Sequence, residues 1–148
     1  MKIIVDTNIV FSAILSSSGK IGQLLFYGRN QFDFYTPNLL KTEIKKHQVK
    51  IMGLGELILE DFEATRDDIF TCINFVTEDQ IPYDYWYEAI PFVRDTDMDD
   101  IAFVVLSEYL NAKLWTGDKE LISGLKNMGF VNVITTDELY QILKDYEN

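Results

Sequence analysis

Four carboxylates stand where chemistry is commonly done. Asp6 ends the run Ile3-Ile4-Val5, Glu43 lies in a helical stretch after Thr36-Pro37, Asp100 closes an acid cluster that begins at Asp95, and Asp118 follows Trp115-Thr116-Gly117. Carboxylates sharing one pocket repel each other and stay ionised together only around a cation. Oxygen ligands without a His or Cys cluster select a hard ion, Mg²⁺ or Mn²⁺. Such an ion acidifies its bound water and polarises a phosphoryl oxygen, and a pair of them can stabilise attacking and leaving oxygens together. The reaction class is metal-assisted phosphodiester hydrolysis. Asp97 is a further candidate ligand, close enough in sequence to share the role of Asp100. Thr7, Asn8 and Thr116 are short polar neighbours suited to orienting carboxylates or bound water.

Each acid also has a simpler reading. Asp97 and Asp100 are spaced as a cap and a first-turn acid. Asp118 is placed to cap the helix through Leu125. Glu43 is placed to pair with Lys46 or His47 on a helix surface. Asp6, directly after a buried aliphatic strand, is the hardest to explain in this way.

The elements that must position these acids alternate. Ile3–Val5 is a short, unalternated aliphatic run, as expected for a strand covered on both faces of a parallel sheet. Helices are expected at 8–15 and 21–27, then a strand at 32–35. Thr36 and Pro37 open one long helix, as cap and first-turn residue, whose inward face is Leu40, Ile44, His47 and Ile51. A helix at 57–73, a strand at 74–78 and an aromatic helix at 83–93 follow. Then come a strongly apolar helix at 101–110, a strand at 113–116, a helix around 121–125, a strand at 131–134 and a helix at 137–146. Interleaved strands and helices predict a three-layer α/β/α fold with a mostly parallel central sheet. In such a sheet, strand ends and helix starts share one rim, so Asp6, Asp100 and Asp118 are expected to converge there, with Glu43 leaning toward it from its helix. The 148 residues are expected to form a single domain.

Bulk properties narrow the function. The formal charge is −11, which argues against sequence-independent nucleic-acid binding over a broad surface but leaves room for a local basic face. Lys41, Lys45 and Lys46, with Lys50, share the Glu43 helix and are candidate RNA-guiding residues; a solvated basic face explains them equally well. His47 is expected to be partly buried and hydrogen-bonded. Tyr83, Tyr85, Trp86 and Tyr87 offer base-stacking faces, with core or dimer packing the plainer reading. Cys72 is alone, in an apolar helical pattern, and is read as a small buried residue. Asp6 interrupts the early apolar run, so no secretory signal is expected, and no segment reaches the ~20 apolar residues of a membrane span. The expected setting is the cytoplasm.

The segments Val5-Asp6-Thr7-Asn8-Ile9, Thr36-Pro37-Asn38-Leu39-Leu40-Lys41-Thr42-Glu43-Ile44, Asp97-Met98-Asp99-Asp100-Ile101-Ala102-Phe103 and Leu114-Trp115-Thr116-Gly117-Asp118-Lys119-Glu120-Leu121 resemble, in order, those of the PIN (PilT N-terminus) domain family. The resemblance implies a magnesium- or manganese-dependent ribonuclease with Asp6, Glu43, Asp100 and Asp118 as its acids and Asn8 and Thr116 in support. Stand-alone members that look like VapC-type toxins imply a small antitoxin partner, and the family often forms homodimers. Two alternatives remain. One is a haloacid-dehalogenase-type phosphatase with Asp6 as nucleophile and Gly117-Asp118 binding Mg²⁺, although Asn8 stands where that family needs a second Asp. The other is a non-catalytic RNA-binding or interaction module on the same fold.

Overall fold

The structure is a computed structural model that describes residues 1–148. Five strands form one sheet in the order β3-β2-β1-β4-β5, every neighbouring pair parallel. They are β1 (Lys2–Val5), β2 (Asp33–Pro37), β3 (Asn74–Val76), β4 (Lys113–Trp115) and β5 (Val133–Ile134). Their side chains explain the pairing. Ile3, Ile4 and Val5 are wholly buried, as are Leu114 and Trp115, so the two central strands are covered on both faces.

Parallel neighbours need crossovers, and the helices supply them. These are α1 (Thr7–Leu15), α2 (Lys20–Tyr27), α3 (Leu39–Lys46), α4 (Gln48–Gly55), α5 (Leu59–Phe70), α6 (Tyr83–Val93), α7 (Ile101–Leu110), α8 (Lys119–Asn127) and α9 (Thr136–Glu147). Helix α1 packs with α2, α3, α4 and α5, and α9 joins α2; helix α6 packs with α7 and α8. The result is a three-layer α/β/α arrangement, as expected. One continuous apolar cluster runs through it, including Phe34, Phe62, Phe103 and Trp115. Cys72 is a buried free thiol in this core, with burial pushing its pKa up. No single helix is long and apolar enough to cross a membrane.

The strand order has one functional consequence. From β1 the chain steps outward to β2 and β3, then returns to the other side of β1 for β4. The β1–β4 junction is therefore the topological switch point, where crossovers diverge and leave a crevice beyond the strand ends. Asp6 and Thr116 are the residues immediately past those two ends.

Two expectations about the Glu43 segment are corrected. Thr36 and Pro37 belong to β2, not to the start of a helix. Thr36 is fully buried and its hydroxyl donates to the Val5 carbonyl at 2.8 Å. Pro37 sits at the last strand position, where a missing N–H costs the ladder least. The long helix is also two helices, broken at His47, whose φ and ψ of −100° and 10° are non-helical. His47 is exposed and makes no side-chain hydrogen bond, contrary to its expected partly buried role.

Thr36→Val keeps the shape but removes the buried donor by which β2 bonds the last carbonyl of β1, next to Asp6. The variant should lose about 1 kcal/mol in urea unfolding; an unchanged midpoint would show that the Thr36–Val5 bond contributes nothing.

Candidate active site

The crevice is an open cleft of about 1380 Å³. Asp6, Glu43, Asp100 and Asp118 all line it, as do Thr7, Asn8 and Asp97. Segments from the first to the last third of the chain thus meet at one rim.

Asp6 is the most constrained of the four. It is only 3% exposed. One carboxylate oxygen accepts the Thr7 N–H at 2.8 Å and so caps α1. The other accepts the Thr116 hydroxyl at 2.7 Å, which clasps the ends of β1 and β4 across the switch point. Thr116 is fully buried, and its oxygen in turn accepts the Asp118 N–H at 3.1 Å. One threonine therefore anchors the Asp6 carboxylate and the Asp118 backbone together.

Asp118 caps α8, as its simpler reading holds. Its Oδ1 accepts both the Glu120 and Leu121 N–H groups at 3.1 Å. Its Oδ2 makes no hydrogen bond to the protein, so capping and facing the cleft are compatible. Glu43 is not paired with Lys46 or His47. Its Oε2 accepts the Thr7 hydroxyl at 2.5 Å, which joins α3 to α1. The α3 N-terminus is held from a distance: Glu78, from the turn after β3, accepts the Leu39 N–H at 2.8 Å. No local sequence signal predicts that cap, because its partner lies 39 residues away.

Asp97 behaves only in part as expected. Its Oδ1 caps the short 3₁₀ turn Met98–Asp100 by accepting the Asp99 N–H at 2.9 Å. Asp100 is half-buried at the junction of this turn with α7, and its carboxylate has no hydrogen-bond donor. The loop reaches α8 closely: a Cβ on Gly124 would lie 2.1 Å from the Thr96 side chain. Glycine there lets the Asp97–Asp100 segment approach the helix that Asp118 caps.

Of the four lysines offered as RNA-guiding candidates, Lys46 and Lys50 line the cleft and Lys41 and Lys45 do not. Lys46 ends α3 and Lys50 lies in the first turn of α4, so both flank the break at His47 beside the cleft, whereas Lys41 and Lys45 lie earlier in α3 and do not line it. Lys41 lies over the Phe75 ring, 4.2 Å from its centroid. Trp86 lines the cleft from α6, while Tyr85 packs edge-on against Tyr109 and Tyr83 and Tyr87 face solvent.

The electrostatics are those of an uncompensated anionic site. Nine lining residues are acidic against two lysines. The chain's ion pairs are Lys20–Asp137, Arg66–Asp67 and Lys144–Glu147, and none involves a cleft acid. Burial, reinforced by Glu43 and Asp118 and opposed by the bonds from Thr116 and Thr7, raises the Asp6 pKa to about 6. Burial, then the charges of Asp6, Asp97, Asp118 and Glu43, raises Asp100 to about 7. The donor set fits a hard divalent ion: all oxygen, anionic and without a cationic partner. The acids line the walls without forming a preassembled cluster of three ligands, so a cation would have to draw them together.

The raised values fix the sign of a pH effect. Between pH ~4 and ~7 the folded chain retains protons that the unfolded chain has released, so stability falls as pH rises through that window. In EDTA, Asp6→Asn should therefore melt higher than the native protein at pH 8 and show no such gain at pH 4. A difference between variant and native protein that is the same at both pH values would refute the raised Asp6 pKa.

Comparison with known proteins follows the same lines. The PIN domain family model matches residues 4–144. The fold is similar to the crystal structure of VapBC2 from Rickettsia felis bound to a DNA fragment from their promoter, with a TM-score of 0.71 and 14% identity over 91% of this chain and 98% of that one. It is also similar to PAE2754 from Pyrobaculum aerophilum, with a TM-score of 0.69 and 14% identity over 98% of this chain and 90% of that one. A PilT N-terminus domain protein, SSO1118 from Sulfolobus solfataricus P2, aligns with a TM-score of 0.50 and 16% identity, over 95% and 92% of the two chains. At these identities the likeness is one of fold. No curated protein is matched by sequence.

Proposed function

Because the chain belongs to the PIN domain family, we propose that it is a metal-dependent ribonuclease, acting as one domain over residues 1–148 in the cytoplasm. The observation that carries this reading is the shared, unneutralised cleft of Asp6, Glu43, Asp100 and Asp118.

Asp6, Glu43, Asp100 and Asp118 are the residues to hold Mg²⁺ or Mn²⁺, with Asp97 as an accessory ligand. Bound there, the ion would supply positive charge against the scissile phosphate and an acidified water for attack. The chain's own residues do the rest. Thr116 holds Asp6 and the Asp118 backbone in register, and Thr7 ties Asp6 to Glu43 through its N–H and hydroxyl. Asp118 spends one oxygen on α8 and keeps Oδ2 for the cleft. Burial and the neighbouring acids raise the Asp100 pKa to about 7, and positive charge at the site would favour its ionised form. Asn8 is exposed at the cleft wall and suited to orienting water.

A phosphatase route through an Asp6 phospho-intermediate is less well supported. Asp6 is buried and each of its oxygens already accepts a hydrogen bond. Asn8 offers no carboxyl to serve as general acid. A decayed binding module is disfavoured by the presence of all four acids in one cleft, two of which, Asp6 and Asp100, cost stability when ionised without a cation. The fold likeness to VapBC2 supports a toxin restrained by a small antitoxin, and the exposed Tyr83 and Tyr87 suit a homodimer contact.

The test is cleavage of end-labelled single-stranded RNA. Mn²⁺ should restore activity that EDTA removes, and Asp6→Asn should reduce it more than ~100-fold, since loss of a partner behind a ligand alone costs ~10–100-fold. Thr7→Val, which removes the hydroxyl behind Glu43, should fall in that smaller range. Cleavage that persists in EDTA, or full activity in Asp6→Asn, would overturn the proposal.

A further inference from the structure

The cleft is negative almost everywhere, yet its proposed substrate is a polyanion. Its only cationic side chains are Lys46 and Lys50, both exposed and unpaired on the wall made by α3 and α4. The other wall, made by α6 and the Asp95–Asp100 loop, carries acids and one large aromatic, Trp86. Trp86 is half-buried: part of the indole packs on the apolar core and the rest faces the cleft. That anchoring gives a fixed flat surface, unlike Tyr83 and Tyr87 on the same helix, which are 76% and 67% exposed.

A strand of RNA has two surfaces of opposite preference. Its phosphates seek cations and its base faces seek aromatic rings. The acid wall repels the phosphates but leaves the indole as an uncharged landing place. Resting on the ribonuclease reading, we propose that Trp86 is the platform on which an unpaired RNA base stacks, while Lys46 and Lys50 on the opposite wall hold adjacent phosphates. The substrate must then be single-stranded at this point, because in a duplex the base faces are already stacked on their neighbours. The lysines orient the strand so that its phosphates skirt Asp97 and Asp99.

The chain contains two tryptophans, which makes the test direct. Trp115 is fully buried with its N–H donated to Thr136 at 3.0 Å, so a ligand-induced change in emission reports Trp86. The probes are a single-stranded hexa-adenylate, a blunt RNA duplex and an abasic ribose-phosphate hexamer, each added in EDTA at low salt. Hexa-adenylate should quench emission; the duplex and the abasic strand should not. Trp86→Leu should weaken hexa-adenylate binding about 10-fold, with Trp86→Phe losing less because a ring remains. The double change Lys46→Ala, Lys50→Ala should weaken all three probes and flatten the salt dependence by about two phosphates. No quenching, equal quenching by the abasic strand, or native affinity in Trp86→Leu would overturn the platform. Native cleavage with an unchanged KM in Trp86→Leu would overturn it while leaving the nuclease reading intact. Quenching by hexa-adenylate without cleavage in Mn²⁺ would uphold the platform and remove the nuclease.

Discussion

A carboxyl group buried at the end of a parallel strand is a liability, and the architecture around Asp6 is organised to hold it. Moving a charged acid out of water is expensive unless hydrogen bonds or a counter-charge replace the lost solvation. Here the hydrogen bonds come from Thr7 and Thr116, and no protein counter-charge is provided. Three more acids converge on the same crevice and make the imbalance larger. A fold that tolerates this arrangement in its most rigid part, between the two central strands, is poised for a cation from outside.

The rigidity comes from layering. Ile3, Ile4, Val5, Leu114 and Trp115 are sealed between helices, so the strand ends cannot shift without disturbing the whole apolar cluster. The Thr116 clasp transmits that rigidity to two acids at once, and the Thr7–Glu43 bond extends it to α3. Asp100 is the exception. It sits at the end of a short 3₁₀ turn with no donor to its carboxylate. The site therefore combines three tethered acids with one that is free to adjust.

Much of this was legible before folding. A short aliphatic run ending in an acid predicts a buried parallel strand with a functional edge, and β1 with Asp6 fits that pattern. The alternation of elements was readable for the same reason: strand and helix periods differ, and each segment kept to one. The failures were local contests that tertiary contacts decided. Thr36-Pro37 has the composition of a helix start, but β2 extends because a fully buried Thr36 can bond to Val5. The actual cap on α3 comes from Glu78, which no window around residue 39 contains. Four lysines on one expected helix looked equivalent, and the break at His47 leaves Lys46 and Lys50 beside the cleft and Lys41 and Lys45 away from it. Trp86 was ambiguous in kind, since a half-buried indole satisfies both the packing and the cleft-lining reading.

The clasp between Asp6 and Thr116 spans 110 residues of chain. Closing so long a loop carries an entropic cost that shorter-range contacts must offset. A chain emerging from the ribosome exposes its first acid early but cannot assemble the crevice until β4 has been made and inserted beside β1.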